Sequence, residues 1–160
     1  MDPDGFLVLA GLLAAHVCGD TLFYSRFVSG WKRADRAAHR MLATSIHCLF
    51  HAVLVFGFLW PVPLETRLWA CLYVFTVHFL IDASRVILER AVYRPGDNVI
   101  LSKTDVFRYV AGTTRGSVDA FFRRNLKPWL RMNLLDQAAH LASLLLFAFV
   151  IHPRLAAGLP

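Results

Sequence analysis

Apolar residues in this chain gather into four long blocks, separated by shorter stretches carrying proline, arginine and other polar residues. The blocks cover roughly residues 6–28, 41–60, 68–88 and 129–151, each close to the about 20 residues that a helix needs to cross a hydrocarbon core. A crossing segment must satisfy its own backbone hydrogen bonds. Blocks of this length lack the dyad alternation of barrel strands, so all four are predicted as helices. Pro61 and Pro63 close the second block, and Pro153 follows the fourth.

The only long connection, residues 91–128, has a turn signal at Pro95-Gly96-Asp97-Asn98 and then two short amphipathic helix candidates. One is headed by Ser102 with Asp105 in capping-box order; the other is headed by Ser117 and runs through Phe121, Phe122, Arg123 and Arg124. No internal repeat or low-complexity stretch divides the chain. The expected fold is therefore one all-α membrane domain over residues 1–160, an antiparallel four-transmembrane-helix bundle with a basic loop.

Composition supports the membrane. The chain is 57% hydrophobic and 18% charged, against about 45–50% and about 25% for soluble domains. Its 13% aromatic content is too high for a solvated, disordered chain. Cys18, Cys48 and Cys71 are odd in number and lie in apolar runs, which argues against a disulfide scaffold. The opening Met-Asp-Pro-Asp-Gly lacks a basic n-region, so the first block is expected to persist in the mature protein.

Charge then gives the expected orientation. Arg26, Lys32, Arg33, Arg36 and Arg40 lie at or between the first two blocks, and ten further Lys or Arg residues from Arg85 to Arg131 lie at or between the last two. Together they are 15 of 17, leaving Arg67 and Arg154. The positive-inside rule places both basic loops in the cytoplasm and both termini outside. Alternating aromatic and basic residues in the 91–128 loop suit anionic headgroups as partners. A simple topology signal accounts for the same arginines equally well. Nucleic acid is not an expected partner.

Each predicted helix carries two ligand-type residues four apart: His16 and Asp20, His47 and His51, His78 and Asp82, Asp136 and His140. Spacing of i,i+4 puts both members of a pair on one helix face. An intramembrane Asp costs about 2.5–3.5 kcal/mol on the insertion scale, so three of them need compensation. The order within the pairs reverses with helix direction. That predicts an inner layer of Asp20, His47, Asp82 and Asp136 and an outer layer of His16, His51, His78 and His140, about 6 Å apart.

Imidazole and carboxylate are ligands for Zn, Mn and Fe, and eight of them exceed what one ion needs, so two divalent ions with bridging aspartates are expected. The alternative is a hydrogen-bonded polar network holding the helices together. His47-x-x-x-His51 has zincin spacing, but Cys48 stands where the general-base Glu would be. Di-iron bundles use Glu, which is absent from the eight, and bis-His haem would leave the aspartates without a role. Gln137 and Arg85 are candidates for supporting the site or its substrate, and Arg85 is placed to meet Asp82 or an anionic group.

At Ala15-His16-Val-Cys-Gly19-Asp20, His47-x-x-x-His51, His78-Phe-Leu-Ile-Asp82 and Leu135-Asp136-Gln137-x-x-His140-Leu, the chain resembles an uncharacterised family of small bacterial inner-membrane proteins containing a domain of unknown function. The resemblance spans the four helices and not the basic loop. It implies a bacterial inner membrane and a shared polar core, and it implies no activity. The residues themselves leave three functions open. One is a metal-dependent hydrolase acting on a lipid-like or phosphoester substrate from the cytoplasmic side. Another is a divalent-cation or proton transporter, which four helices would serve as a homo-oligomer. The third is a structural subunit held by its polar core.

Overall fold

The computed structural model describes residues 3–22, 30–33, 36–93, 101 and 103–158. They form α1 (Pro3–Leu22), α2 (Ala37–Phe58), α3 (Leu64–Val92), α4 (Lys103–Val110), α5 (Gly116–Leu146) and α6 (His152–Ala156), with no strand among them. A π-helical turn, Phe147–Ile151, joins α5 to α6. Helices α1, α2, α3 and the α5–α6 run are each long and apolar enough to cross a membrane. The chain is a membrane protein of four spans.

Helix α1 packs on α2, α2 on α3, α3 on α5, and α5 back on α1. Their directions alternate. Gly11 of α1 lies against Leu59 and Gly19 against His51. Cys71 of α3 donates its thiol to the carbonyl of Ala52, and Tyr73 of α3 donates to the carbonyl of Ser143. Early residues of each helix thus meet late residues of the next.

Two ends of this bundle differ in kind. One half is filled by apolar side chains from all four spans, among them Val8, Leu12, Val55, Leu59, Val74, Leu144 and Phe147. Arg67 closes that end with its guanidinium stacked 3.8 Å from the Phe56 ring centroid and 4.9 Å from that of Trp60. Outward-facing Leu, Val and Phe side chains such as Leu22, Val53 and Leu134 are exposed along the spans, as a lipid-facing surface requires. The other half holds the polar residues.

The basic loop departs from expectation in one respect. Ser117 does not cap a separate short helix: α5 starts at Gly116 after the extended Arg115 and continues through Pro128 into the fourth span. Apolar contacts explain the continuity. Phe121 and Phe122 are buried with Leu101, and Tyr109 of α4 stacks on Phe122 at 4.5 Å while Trp129 meets it edge-on at 5.4 Å. These aromatics pack α4 onto the start of α5. Helix α4 is the one short amphipathic helix realised, with Phe107 and Val110 exposed. The turn at 95–98 and the proposed cap Ser102 fall outside the described residues.

Candidate metal centre

The i,i+4 pairs all turn inward. His47, His51, His78, Asp82, Asp136 and His140 are buried, while His16 and Asp20 are half-buried. Five imidazoles gather at the middle of the bundle. His51 and His78 lie 4.0 Å apart between ring centroids, His78 and His140 4.2 Å, and His16 and His140 4.9 Å. These four belong to the layer nearer the apolar half, as the alternating order predicted. His47 sits one turn away, 4.6 Å from His51 and 5.3 Å from His78.

Carboxylates meet these rings from the polar end. Oδ1 of Asp20 faces Nε2 of His51 at 3.4 Å and of His47 at 3.7 Å, and its Oδ2 faces Nε2 of His16 at 3.6 Å. Oδ2 of Asp82 faces Nε2 of His47 at 3.8 Å and of His78 at 3.9 Å, while its Oδ1 faces Nε2 of His140 at 3.9 Å. Every one of these approaches uses Nε2. His140 shows how that presentation is fixed: its Nδ1 donates to the Asp136 carbonyl at 2.9 Å, which turns Nε2 toward the carboxylate of Asp82.

Asp136 is engaged through Oδ2 by Arg85, while its Oδ1 is buried without a hydrogen-bond partner among the described residues. Arg85 donates from Nη1 to its Oδ2 at 2.8 Å, from Nη2 to Asn133 at 2.9 Å and from Nε to Glu89 at 3.1 Å. Glu89, itself buried, is gripped by Arg33 through two further hydrogen bonds of 2.9 and 3.0 Å. The result is a ladder Arg33, Glu89, Arg85, Asp136 across the loop, α3 and α5. Arg85 therefore neutralises Asp136 and not Asp82. Gln137 extends the ladder by donating to Asp136 Oδ2 at 3.2 Å.

Three members of the site were not singled out from sequence. Lys32 places its ammonium 2.5 Å from Asp82 Oδ2. Glu89 sits seven residues after Asp82 and so on the same face, a signal the i,i+4 search passed over. Cys48 is fully buried and its thiol lies with His78 and Asp82 inside a ligand cluster no more than 4.8 Å across; Asp20, His47, His51 and His78 form another of that size.

Two spaces adjoin the centre. A water-sized cavity of about 10 Å³ lies on the apolar side of the rings, lined by His16, His51, His78 and His140 together with Leu12, Val55 and Val74. A groove of about 340 Å³ opens between α3 and α5, with Leu80, Ile81, Leu88, Met132 and Leu135 as walls and Ser84, Arg85 and Asp136 at its polar side.

Among known families, the model of a protein of unknown function, DUF3307, matches residues 8–157, so the chain belongs to that family. No curated protein and no solved structure matches it.

Proposed function

Starting from membership of the DUF3307 family and from this centre, we propose that the chain is an integral membrane metalloprotein whose His/Asp core binds a divalent transition-metal ion. Asp20, His47, His51 and His78 are the ligands of that ion, with His16 and His140 beside them. A single observation carries the reading. The six imidazole–carboxylate approaches span 3.4–3.9 Å, longer than N–H···O hydrogen bonds at about 2.7–3.2 Å. Two ligand atoms bound at about 2.0–2.1 Å to one tetrahedral ion lie about 3.4 Å apart. The spacing suits a shared cation better than a hydrogen-bonded network. Among the described residues, Nε2 of His16, His51 and His140 is buried without a hydrogen-bond partner, which a polar network alone would not leave.

The activity that fits best is metal-dependent hydrolysis of an ester or phosphoester in a lipid-like substrate. The metal would supply a polarised water, and the small cavity beside the rings has room for one. The groove between α3 and α5 would take an apolar chain from the bilayer and bring its polar end to Arg85 and Ser84. We place the basic end in the cytoplasm of a bacterial inner membrane, with both termini outside and α4 against anionic headgroups. Transport is less well supported, because apolar packing fills the half of the bundle beyond the rings.

The test is elemental analysis of the detergent-purified chain, followed by equilibrium dialysis against Zn²⁺. Stoichiometric metal that is lost in Asp20→Asn and kept in Ser84→Ala supports the centre. A metal-free protein that takes up no Zn²⁺ returns the core to a hydrogen-bonded network.

A further inference from the structure

One cation already occupies part of this cluster. Lys32, in the short segment 30–33 ahead of α2, reaches α3 and sets its ammonium against Asp82 Oδ2, the same oxygen that His47 and His78 face. The thiol of Cys48 lies within 4.8 Å of ligand atoms of Asp82 and His78, while the opposite oxygen of Asp82 faces His140. Asp82, His78 and Cys48 are therefore a carboxylate, an imidazole and a sulfur from α2 and α3 around one small volume, which meets the first ligand group at the shared His78. Its only cation among the described residues is the tethered ammonium.

Resting on the reading that the core binds metal, we propose that Asp82 and Cys48, with the shared His78, form a second divalent-cation site that Lys32 fills with its own ammonium. The native centre then carries one metal ion and one lysine, where the ligand count alone suggested two ions. Charge favours this division. This end holds four carboxylates and three cations: Asp82, Glu89 and Asp136 pair with Lys32, Arg33 and Arg85, while Asp20 faces imidazoles. Four negative against three positive leaves one negative charge, which a single divalent ion converts to one positive. A second ion with Lys32 still in place would leave two net positive charges inside the bundle even with Cys48 bound as the thiolate, a state that desolvation opposes strongly. Withdrawing the ammonium removes one of those charges and frees the Asp82 oxygen together.

The experiment titrates the full-length chain in detergent with Co²⁺, comparing wild type with Lys32→Met, Lys32→Gln and Lys32→Arg. Wild type and K32R are expected to bind one Co²⁺. K32M and K32Q are expected to bind two, the second at least about a hundredfold more tightly than to wild type, given the repulsion a neighbouring unit charge exerts at this range. The second ion should bring a sulfur-to-cobalt charge-transfer band that disappears in K32M/C48S. K32Q keeps a hydrogen-bond donor for Asp82, so it serves if K32M fails to fold. One ion in both K32M and K32Q overturns the proposal, and two ions in wild type overturn it while leaving the metal reading intact. No Co²⁺ in any variant removes both. No Co²⁺ in wild type with one sulfur-ligated ion in K32M removes the first site and upholds the lysine-filled one.

Discussion

Replacing Gly19 by Ala tests whether the imidazole cluster is a working ligand set or only packing. A β-carbon at this position would fall 2.7 Å from both Nδ1 and Nε2 of His51, and nearer still to Cε1. Carbon atoms in ordinary contact stay about 3.5–4.0 Å apart, so the ring must retreat by roughly 1 Å. It has little room. His51 is 1% exposed and is held 4.0 Å from His78 and 4.6 Å from His47 between ring centroids. Metal–ligand distances tolerate only about 0.2 Å, so a displaced His51 no longer serves the same ion as Asp20. We expect Zn²⁺ affinity to fall at least tenfold to a hundredfold, in the range that misplacing ligands produces. Overpacking should cost about 1–3 kcal/mol, offset by about 1 kcal/mol of helix propensity, so the variant should still fold. Two glycines provide controls. Gly11→Ala presses the end of the flexible Leu59 side chain at 2.5 Å, far from the rings, and Gly57→Ala meets nothing within 4 Å. Equilibrium dialysis and thermal midpoints of the three variants, measured side by side, decide the matter. If Gly19→Ala retains wild-type Zn²⁺ binding, or if Gly11→Ala loses as much, the ligand geometry argued above is wrong.

Other expectations follow from the same contacts. Arg85→Leu strands the Asp136 carboxylate, 5% exposed, and should destabilise the bundle by about 3–5 kcal/mol in SDS titration, with most of the loss recovered in Arg85→Leu/Asp136→Leu; a loss no greater than that of Arg123→Leu would show the ladder to be idle. Chelator should lower the thermal midpoint, and restoring metal at a hundredfold excess over Kd should return about 2.7 kcal/mol, while Asp20→Asn responds to neither. Single cysteines at positions 36 and 65, in a background without Cys18, Cys48 and Cys71, should react with an impermeant reagent in intact cells only at 65; labelling at 36 would reverse the orientation.

Much of the architecture was legible because a bilayer restricts what an apolar block can become. The spacing of Asp20, Asp82, His140 and their partners is a local property of each helix, and four such pairs on four antiparallel helices converge once the bundle closes. What the pattern could not show was which long side chains reach into the core from elsewhere. Lys32 and Arg33 look from sequence like two more basic residues of a topology signal, yet they end on Asp82 and Glu89. Nothing in a periodicity distinguishes a snorkelling lysine from one that turns inward, because the stem is long enough for either. Arg85 shows the same ambiguity: three residues after Asp82, it pairs across the interface with Asp136 because that carboxylate and Asn133 lie opposite it on α5. The start of α5 was misread for a related reason. Ser117 reads as the cap of a separate short helix, but the aromatic packing of Phe121, Phe122 and Trp129 carries α5 from Gly116 through Pro128 into the fourth span.

The division of the bundle into a polar and an apolar half constrains what any bound ion can do. Beyond the four-histidine layer, Leu12, Val55, Val74 and Leu144 line the water-sized cavity with Ser143, and the packing past them is mainly apolar, with Thr66, Arg67 and His152 also buried. A hydrated ion crossing that half would shed its water while gaining few polar partners, at a cost well beyond that of a protein-lined path. At the other end the Asp20 side chain is 34% exposed, and Lys32 and Arg33 pair with Asp82 and Glu89. On the proposed reading, ions and water would reach the rings from the basic end. Chemistry on a molecule brought to the rings is compatible with such a geometry, whereas passage through them requires the apolar half to open. Leu12→Ala and Val74→Ala, which widen that half without touching a ligand, should leave metal binding intact and create no cation leak in vesicles. A leak in either would show that only one layer of side chains separates the centre from the opposite face.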